Sequence, residues 1–216
     1  MKKHLICSLF ALCTVASYAD GTLIRHQLST DGKCEQFRSI AKKPEDFNRC
    51  PSEKSAVKVT CDKNVLRFSV VMDDNDVICE AQKDQDALKN LGDAIQIFIK
   101  SEKETFIWEF QIAPNGKKSC FFHMGSGRMF YPEAGSAFPA YNVKNTISKG
   151  KWEMVAEIPL TIFKAKGFKF TSDEKWTAIV VRHNFSRYNT EREISSYPQT
   201  VGNVANPNYY AELILK

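Results

Sequence analysis

Apolar residues recur at every second position in several separate segments of this sequence, and this alternation limits the folds open to the chain. In VLRFSVVM (65–72), Leu66, Phe68 and Val70 alternate with other residues. A period of two places successive side chains on opposite faces of an extended strand. The segment therefore predicts a β-strand with one face in a core.

Six further segments predict strands in the same way. TFIWEFQIAPNG (105–116) places Trp108 and Phe110 on one face and then reaches a Pro-Asn-Gly turn. The other five are residues 55–61, 94–100, 152–159, 176–185 and 209–216. Only 86–91 and 160–166 favour a turn or two of helix. Short strands with minor short helices predict an all-β fold, an antiparallel β-sandwich of jelly-roll or immunoglobulin-like type.

The first 19 residues have the three parts of a secretory signal peptide. Two lysines precede the apolar run LICSLFALCTVA, and cleavage is expected after Ala19. The run is too short to span a bilayer. The pattern predicts a secreted or periplasmic protein, and a lipid anchor at Cys7 or Cys13 is the alternative.

The rest of the chain is expected to be one domain. Residues 20–54 form a cysteine-containing N-terminal segment packed on the sandwich, and residues 55–216 form the sandwich itself. A formal charge of +5 over the whole chain is too small to indicate a nucleic-acid partner. No later segment is apolar enough to predict a transmembrane span.

Five cysteines follow the predicted signal peptide. In an exported protein they indicate disulfides before metal ligands. The candidate pairs are Cys34 with Cys50 and Cys79 with Cys120, which leaves Cys61 over. Spacing alone does not decide the connectivity.

The order of the strand motifs resembles that of the family 9 carbohydrate-binding modules and the wider group of DOMON-like β-sandwiches. VVMDDND, GDAIQIFI, WEFQIAPNG, WEMVAEIPL and WTAIVVRHNFSR occur in that order, followed by SSYP and NPNYYAELIL. The resemblance covers about residues 55–216. It implies a non-catalytic exported module that binds an oligo- or polysaccharide through aromatic and polar side chains, often with structural calcium. A separate carbohydrate-active enzyme is a further implied partner.

The resemblance also implies positions for the sugar-stacking rings. Asn90 stands three residues before Asp93, where these modules typically present a tryptophan. The second tryptophan corresponds to Ser196 or, with a shift of one residue, to Tyr197. Tyr197 is therefore the predicted stacking residue, and Asn90 is predicted to hydrogen-bond a sugar hydroxyl.

Three more residues are candidates for the sugar site. Trp108 shares a face with Phe110 and is either a core residue or a ligand platform. Tyr131 lies in the Gly- and Pro-containing stretch RMFYPEAGSAFPAYN, a composition typical of binding loops. Arg182 lies on the apolar face of its strand, so it either approaches the ligand or forms a buried ion pair.

Three closely spaced carboxylates follow the strand at 65–72. Asp73, Asp74 and Asp76 could supply oxygen ligands to calcium. The alternative is an ordinary solvated turn.

Three alternative functions stay open, and the third of them involves no sugar binding. A haem-binding, electron-transferring DOMON-like module needs axial methionine or histidine ligands, but no C-x-x-C-H motif is present and haem is disfavoured. A glycosidase needs two carboxylates across a cleft, whereas Glu109, Glu153 and Glu157 are predicted to be solvated on outward strand faces. An adhesion or glycosidase-associated protein without sugar binding of its own is the third reading. The available haem ligands are Met72, Met124, Met129, His123 and His183.

Overall fold

A computed structural model describes residues 26–43, 46–62, 64–124, 128–130, 141–164, 173–188 and 190–215. The predicted signal peptide, residues 1–19, and Tyr131 lie outside these ranges. The strands of the described residues are β1 (Gln27–Ser29), β2 (Asp31–Gln36), β3 (Arg38–Ser39), β4 (Ser55–Cys61), β5 (Val65–Asp73), β6 (Ala94–Ser101), β7 (Ile107–Ile112), β8 (Lys118–Met124), β9 (Arg128–Phe130), β10 (Asn142–Ser148), β11 (Lys151–Pro159), β12 (Trp176–Asn184), β13 (Glu193–Tyr197) and β14 (Ala211–Ile214).

The strands form two sheets packed face to face, which confirms the predicted all-β sandwich. The larger sheet has the order β1-β14-β12-β6-β7-β8-β9, and β13 pairs with both β12 and β3. The smaller sheet has the order β10-β11-β5-β4-β2. Every pairing is antiparallel except that of β1 with β14.

All seven predicted strands form, as β4, β5, β6, β7, β11, β12 and β14. The two segments with weak helix signals form a 3-10 helix at Leu88–Asn90 and a short α-helix at Thr161–Lys164. The strands that sequence analysis missed are mostly short or polar, so their alternation is weak. Among them, β1 joins the larger sheet and β2 the smaller. The N-terminal segment is therefore built into both sheets as well as packed on them.

The core lies between the two sheets. Phe68 and Val70 of the smaller sheet are fully buried against Ile97 and Val180 of the larger one. Burying one large apolar side chain of this kind stabilises a fold by about 1.5–3 kcal/mol. All three tryptophans, Trp108, Trp152 and Trp176, belong to this core.

The outer face of the larger sheet is also covered, which alternation alone does not predict. Gln96 and Phe98 point away from the main core, yet both are buried. Phe98 belongs to a second apolar cluster with Ile179, Val181 and Tyr210. The central strand β6 is therefore buried on both faces instead of half-buried.

The five described cysteines are free thiols, so neither predicted pair is formed. Cys120 lies in the main core, while Cys79 packs on a separate small cluster around Leu88. Cys34 and Cys50 are both exposed. Burial raises the pKa of Cys120 to about 12, which keeps this thiol protonated and unreactive.

No helix in the described part of the chain combines the length and the apolar character that a membrane crossing needs.

Candidate functional site

The Gly92-Asp93 turn at the start of β6 connects two distant segments of the chain. Gly92 has a φ of 110°, and a Cβ there would lie 2.4 Å from the carbonyl oxygen of Ile78, so only glycine fits. The buried Asp93 carboxylate accepts hydrogen bonds from the backbone N–H groups of Ile78 (2.6 Å) and Phe185 (2.7 Å). Burial raises the pKa of Asp93 to about 7, although these two donors act in the opposite direction.

The segment that follows β12, residues 185–192, is held by a second carboxylate. Asp76 Oδ2 accepts hydrogen bonds from Ser186 Oγ (3.2 Å) and from the backbone N–H of Arg187 (2.8 Å). We call residues 185–192 the β12–β13 loop. Because Asp76 and Asp93 both bind its backbone, the first part of the loop is positioned before any ligand arrives.

A cleft of about 450 Å³ opens between this loop and the 3-10 helix at Leu88–Asn90. Its lining residues are Asn90, Phe185, Ser186, Thr190 and Arg192, and we call it the Asn90 cleft.

Arg192 closes one side of the Asn90 cleft. Its guanidinium carbon lies 5.9 Å from the centre of the Phe185 ring, within cation–π range. Its Nη1 donates a hydrogen bond to the carbonyl oxygen of Lys89 (3.0 Å), which ties the β12–β13 loop to the 3-10 helix. The cleft therefore combines an aromatic ring, an oriented guanidinium, an amide and hydroxyls. Such a set suits a ligand with apolar C–H faces and many hydroxyl groups.

Of the predicted sugar-site residues, the structure places Asn90 in this cleft. Sequence analysis missed Phe185 and Arg192, and also Tyr188, which lies in the same loop and is 87% exposed. A signal was present, since FSRYNTER (185–192) mixes aromatic and basic residues in a polar segment between two strands. The fold alone shows that this segment faces Asn90.

Two of the predicted rings, those of Tyr197 and Trp108, are not among the described residues that line the Asn90 cleft. Tyr197 packs against the main core, and its hydroxyl donates to the carbonyl oxygen of Gln27 (2.9 Å). Trp108 is 5% exposed and makes edge contacts with Phe122 and Phe163 inside the core. The Trp108 ring is therefore buried, whereas the Tyr197 ring is half-buried.

Arg182 forms the buried ion pair that sequence analysis gave as one of two alternatives. Its Nη2 donates to Asp74 (3.1 Å), Asn184 (2.8 Å) and Glu53 (3.3 Å), and its Nη1 donates to Ser55 Oγ (3.0 Å). Arg182 and Asp74 are each 1% exposed. Burial raises the pKa of Asp74, although Arg182 acts to lower it. The cluster ties β12 to β4 and to the end of β5.

The three carboxylates proposed for calcium have different partners. Asp74 is paired with Arg182, Asp76 binds the β12–β13 loop, and Asp73 is exposed. Within the described ranges, no three acidic, histidine or cysteine side chains converge on a possible metal position. These residues therefore do not fit a calcium cluster here, and calcium binding stays a prediction.

A polar network lies on the outer face of the larger sheet, and it corrects the expected position of Glu109. The carboxylate of Glu109 faces outward but is 1% exposed, because this face of the sheet is covered. It accepts hydrogen bonds from Gln96 and Gln111 and pairs with His123. Burial acts to raise the pKa of Glu109, but the bonds from His123, Gln111 and Gln96 outweigh it and lower the pKa. The carboxylate therefore stays ionised.

His183 completes this network. Gln96 turns its amide nitrogen to Glu109, so its carbonyl oxygen faces His183 Nε2 at 2.8 Å. Burial, with the charges of Arg192 and Lys89, lowers the pKa of His183 to about 3. The ring is therefore neutral and donates from Nε2.

The described side chains among the remaining candidates for haem or glycosidase chemistry are not lining residues of the Asn90 cleft. Met72 is buried in the main core, and both described histidines of the haem hypothesis belong to the polar network. Glu153 is exposed on the smaller sheet, and Glu157 pairs with Arg67 at 2.9 Å. The side chains of Met124 and Met129 lie outside the described part of the structure.

Comparisons with known proteins were made by sequence and by structure. Neither the protein-family models nor the curated proteins contain a match to the sequence. A crystal structure of a candidate carbohydrate-binding protein from Bacteroides uniformis aligns with a TM-score of 0.68 at 9% identity, over 86% of this chain and 87% of the other.

Two structures of a family 9 carbohydrate-binding module from Caldicellulosiruptor kristjanssonii also align. The complex with glucose gives a TM-score of 0.53 at 14% identity, covering 83% of both chains. The complex with cellotriose gives 0.54 at 12% identity, covering 89% of this chain and 93% of the other. The fold is that of the family 9 carbohydrate-binding modules. At these identities the likeness shows the fold alone, and this is the fold that the resemblance of the strand motifs implied. The ligand has to be inferred from the geometry of the site.

Proposed function

We propose that this protein is an exported, non-catalytic carbohydrate-binding module that holds a saccharide in the Asn90 cleft. The observation that carries the proposal is the meeting of Asn90, Phe185 and Arg192 at one cleft of a family 9 sandwich. Modules of the same fold were solved with glucose and cellotriose, so gluco-oligosaccharides are the first ligands to test. Export rests on the signal-like residues 1–19.

The three side chains have distinct roles in this proposal. The Phe185 ring packs against the C–H face of a sugar, while Arg192 and Asn90 hydrogen-bond its hydroxyls. Asp93 holds the backbone of Phe185, so the ring is ordered in advance and binding costs less entropy.

Binding without catalysis is supported by the positions of the carboxylates. No acidic side chain is among the described residues that line the cleft, whereas hydrolysis of a glycosidic bond uses a pair of them. The buried carboxylate of Glu109, a candidate in the glycosidase hypothesis, is already bonded to three protein side chains. A single small cleft gives weak affinity, so a multivalent ligand or a separate carbohydrate-active enzyme would supply avidity.

Replacing Arg192 by alanine is expected to weaken cellotriose binding by roughly tenfold, because it removes a charged hydrogen-bond donor worth about 1.5 kcal/mol. Chemical-shift changes of the backbone amides during a cellotriose titration measure the affinity and map it to residues 88–90 and 185–192. Arg67→Ala is the matched control, since Arg67 pairs with Glu157 on the smaller sheet. Amide shifts confined to another face would place the sugar elsewhere.

Replacing Asn90 by tryptophan is expected to strengthen cellotriose binding about fivefold. The exposed Asn90 side chain can be enlarged without entering the core, and a second ring facing the sugar contributes about 1 kcal/mol. Asn90→Ala, which adds no ring, should not strengthen binding. Equal affinities of the tryptophan and alanine variants would show that position 90 does not face the ligand.

A further inference from the structure

The charged side chains around the Asn90 cleft are predominantly basic. Arg192 lines the cleft and donates a hydrogen bond to the backbone carbonyl of Lys89. Arg187 is exposed in the same loop as Arg192. In the described part of the chain, none of the three forms an ion pair with a carboxylate. The charges of Arg192 and Lys89 also act together on the buried His183 ring.

The acidic side chains near the loop are not among the described residues that line the cleft. Asp76 and Asp93 are bonded to backbone N–H groups of the loop. Glu193 accepts from the backbone N–H of Ser52 at 2.9 Å. Glu191 is exposed in the loop but is not among the residues that line the cleft. Among the described residues that line the cleft, Arg192 is therefore the one with a charged side chain.

We propose that the saccharide bound in the Asn90 cleft carries a carboxylate, that is, a uronic acid. The inference rests on the proposed function and names the ligand class of the same site. The Arg192 guanidinium is positioned by the Lys89 carbonyl and the Phe185 ring, and only its Nη1 has a hydrogen-bond partner among the described residues. Its remaining N–H groups form the planar fork that pairs with a carboxylate.

A neutral sugar suits this arrangement less well. A ligand that fills the cleft removes water from Arg192, and the hydroxyl groups of a neutral sugar replace those hydrogen bonds without supplying a counter-charge. A uronate replaces the lost water with two charge-assisted hydrogen bonds, and its ring still packs on Phe185.

The test compares cellotriose with the trisaccharide of β-1,4-linked glucuronic acid, which differs in the oxidation state of C6. In amide-shift titrations at pH 7, the uronate is expected to bind about tenfold tighter. Arg192→Gln should remove the difference, while Arg192→Lys should keep part of it because lysine supplies charge without the planar fork. Raising the salt concentration from 20 mM to 500 mM, roughly a fivefold shorter Debye length, should weaken the uronate alone.

Three results would overturn the inference. Equal affinity for the two trisaccharides would contradict it and leave the proposed function standing. Tighter binding of 6-O-sulfated cellotriose than of the uronate would show that the site is selective for sulfate instead of carboxylate. Binding of neither cellotriose nor a charged trisaccharide would contradict the proposed function itself. Arg67→Ala, on the smaller sheet, is the control that should bind both trisaccharides as the unmodified protein does.

Discussion

Replacing Arg182 by alanine is expected to lower the free energy of unfolding by about 3–5 kcal/mol. The substitution leaves the Asp74 carboxylate buried without its guanidinium partner and removes the bonds to Ser55, Asn184 and Glu53. An uncompensated buried charge costs more than the net contribution of the pair, so the loss should exceed that of any surface ion pair. Urea unfolding followed by tryptophan fluorescence measures the change.

The matched control is Arg67→Ala. Arg67 pairs with Glu157 at 2.9 Å, but their side chains are 34% and 37% exposed. Removing an exposed pair of this kind should cost less than about 1 kcal/mol. If Arg182→Ala costs no more than Arg67→Ala, the buried cluster does not hold β12 to β4 and β5. A second variant, Asp74→Asn, tests the same cluster from its acidic side with a smaller change of shape.

His183 is expected to contribute a loss of stability as the pH falls below about 6.5, whereas buried Asp93, with a pKa raised to about 7, acts in the opposite direction. The folded-state pKa of His183 is lowered from 6.5 to about 3. As the pH falls below about 6.5, the unfolded chain therefore binds the proton first, and stability is lost until the folded pKa is reached. Between pH 7 and pH 4.5 this linkage removes roughly 2–3 kcal/mol.

The physical reason lies in the two ring nitrogens. Nε2 donates to Gln96, and Nδ1 is buried with no hydrogen-bond partner among the described residues. Protonation would place an unpaired N–H and a charge at Nδ1, near the positive charges of Arg192 and Lys89. The folded ring therefore resists protonation.

His183→Gln isolates this effect, because glutamine can still donate to Gln96 but does not titrate. In urea unfolding at pH 7, 5.5 and 4.5, the stability of the unmodified protein should fall relative to that of the variant as the pH decreases, while the opposing contribution of Asp93 is common to both. Parallel pH profiles would mean that folding does not lower the pKa of His183. Glu109 contributes its own pH dependence only at lower pH, because its depressed pKa retains stability until the pH falls through that value.

Much of the framework could be predicted from local pattern. The strands 55–61 and 65–73 follow a period-two alternation, and the structure places them within one residue of the expected bounds. Arg182 shows where such reasoning stops. Its place on an apolar strand face predicts burial, whereas its partner Asp74 comes from a loop 108 residues earlier in the chain. A pattern read along the chain does not specify that pair.

Alternation also predicts orientation better than exposure. Glu109 points outward, as expected, but it is buried because the outer face of the larger sheet is covered. Whether an outward face meets water depends on which other segments pack over it. For the same reason the alternation did not predict that Tyr197, the expected stacking residue, is half-buried against the core.

The sequence by itself determined the β-sandwich and the order of its motifs, because alternation and turn residues act between neighbours in the chain. Only the tertiary structure decided the candidate site. Asn90 meets Phe185 and Arg192 because buried Asp93 binds the Phe185 backbone across 92 positions and Arg192 bonds to Lys89 across 103. Contacts over such separations depend on how the sheets fold, and they bring an aromatic ring and a guanidinium to a position where the sequence alone showed only an asparagine.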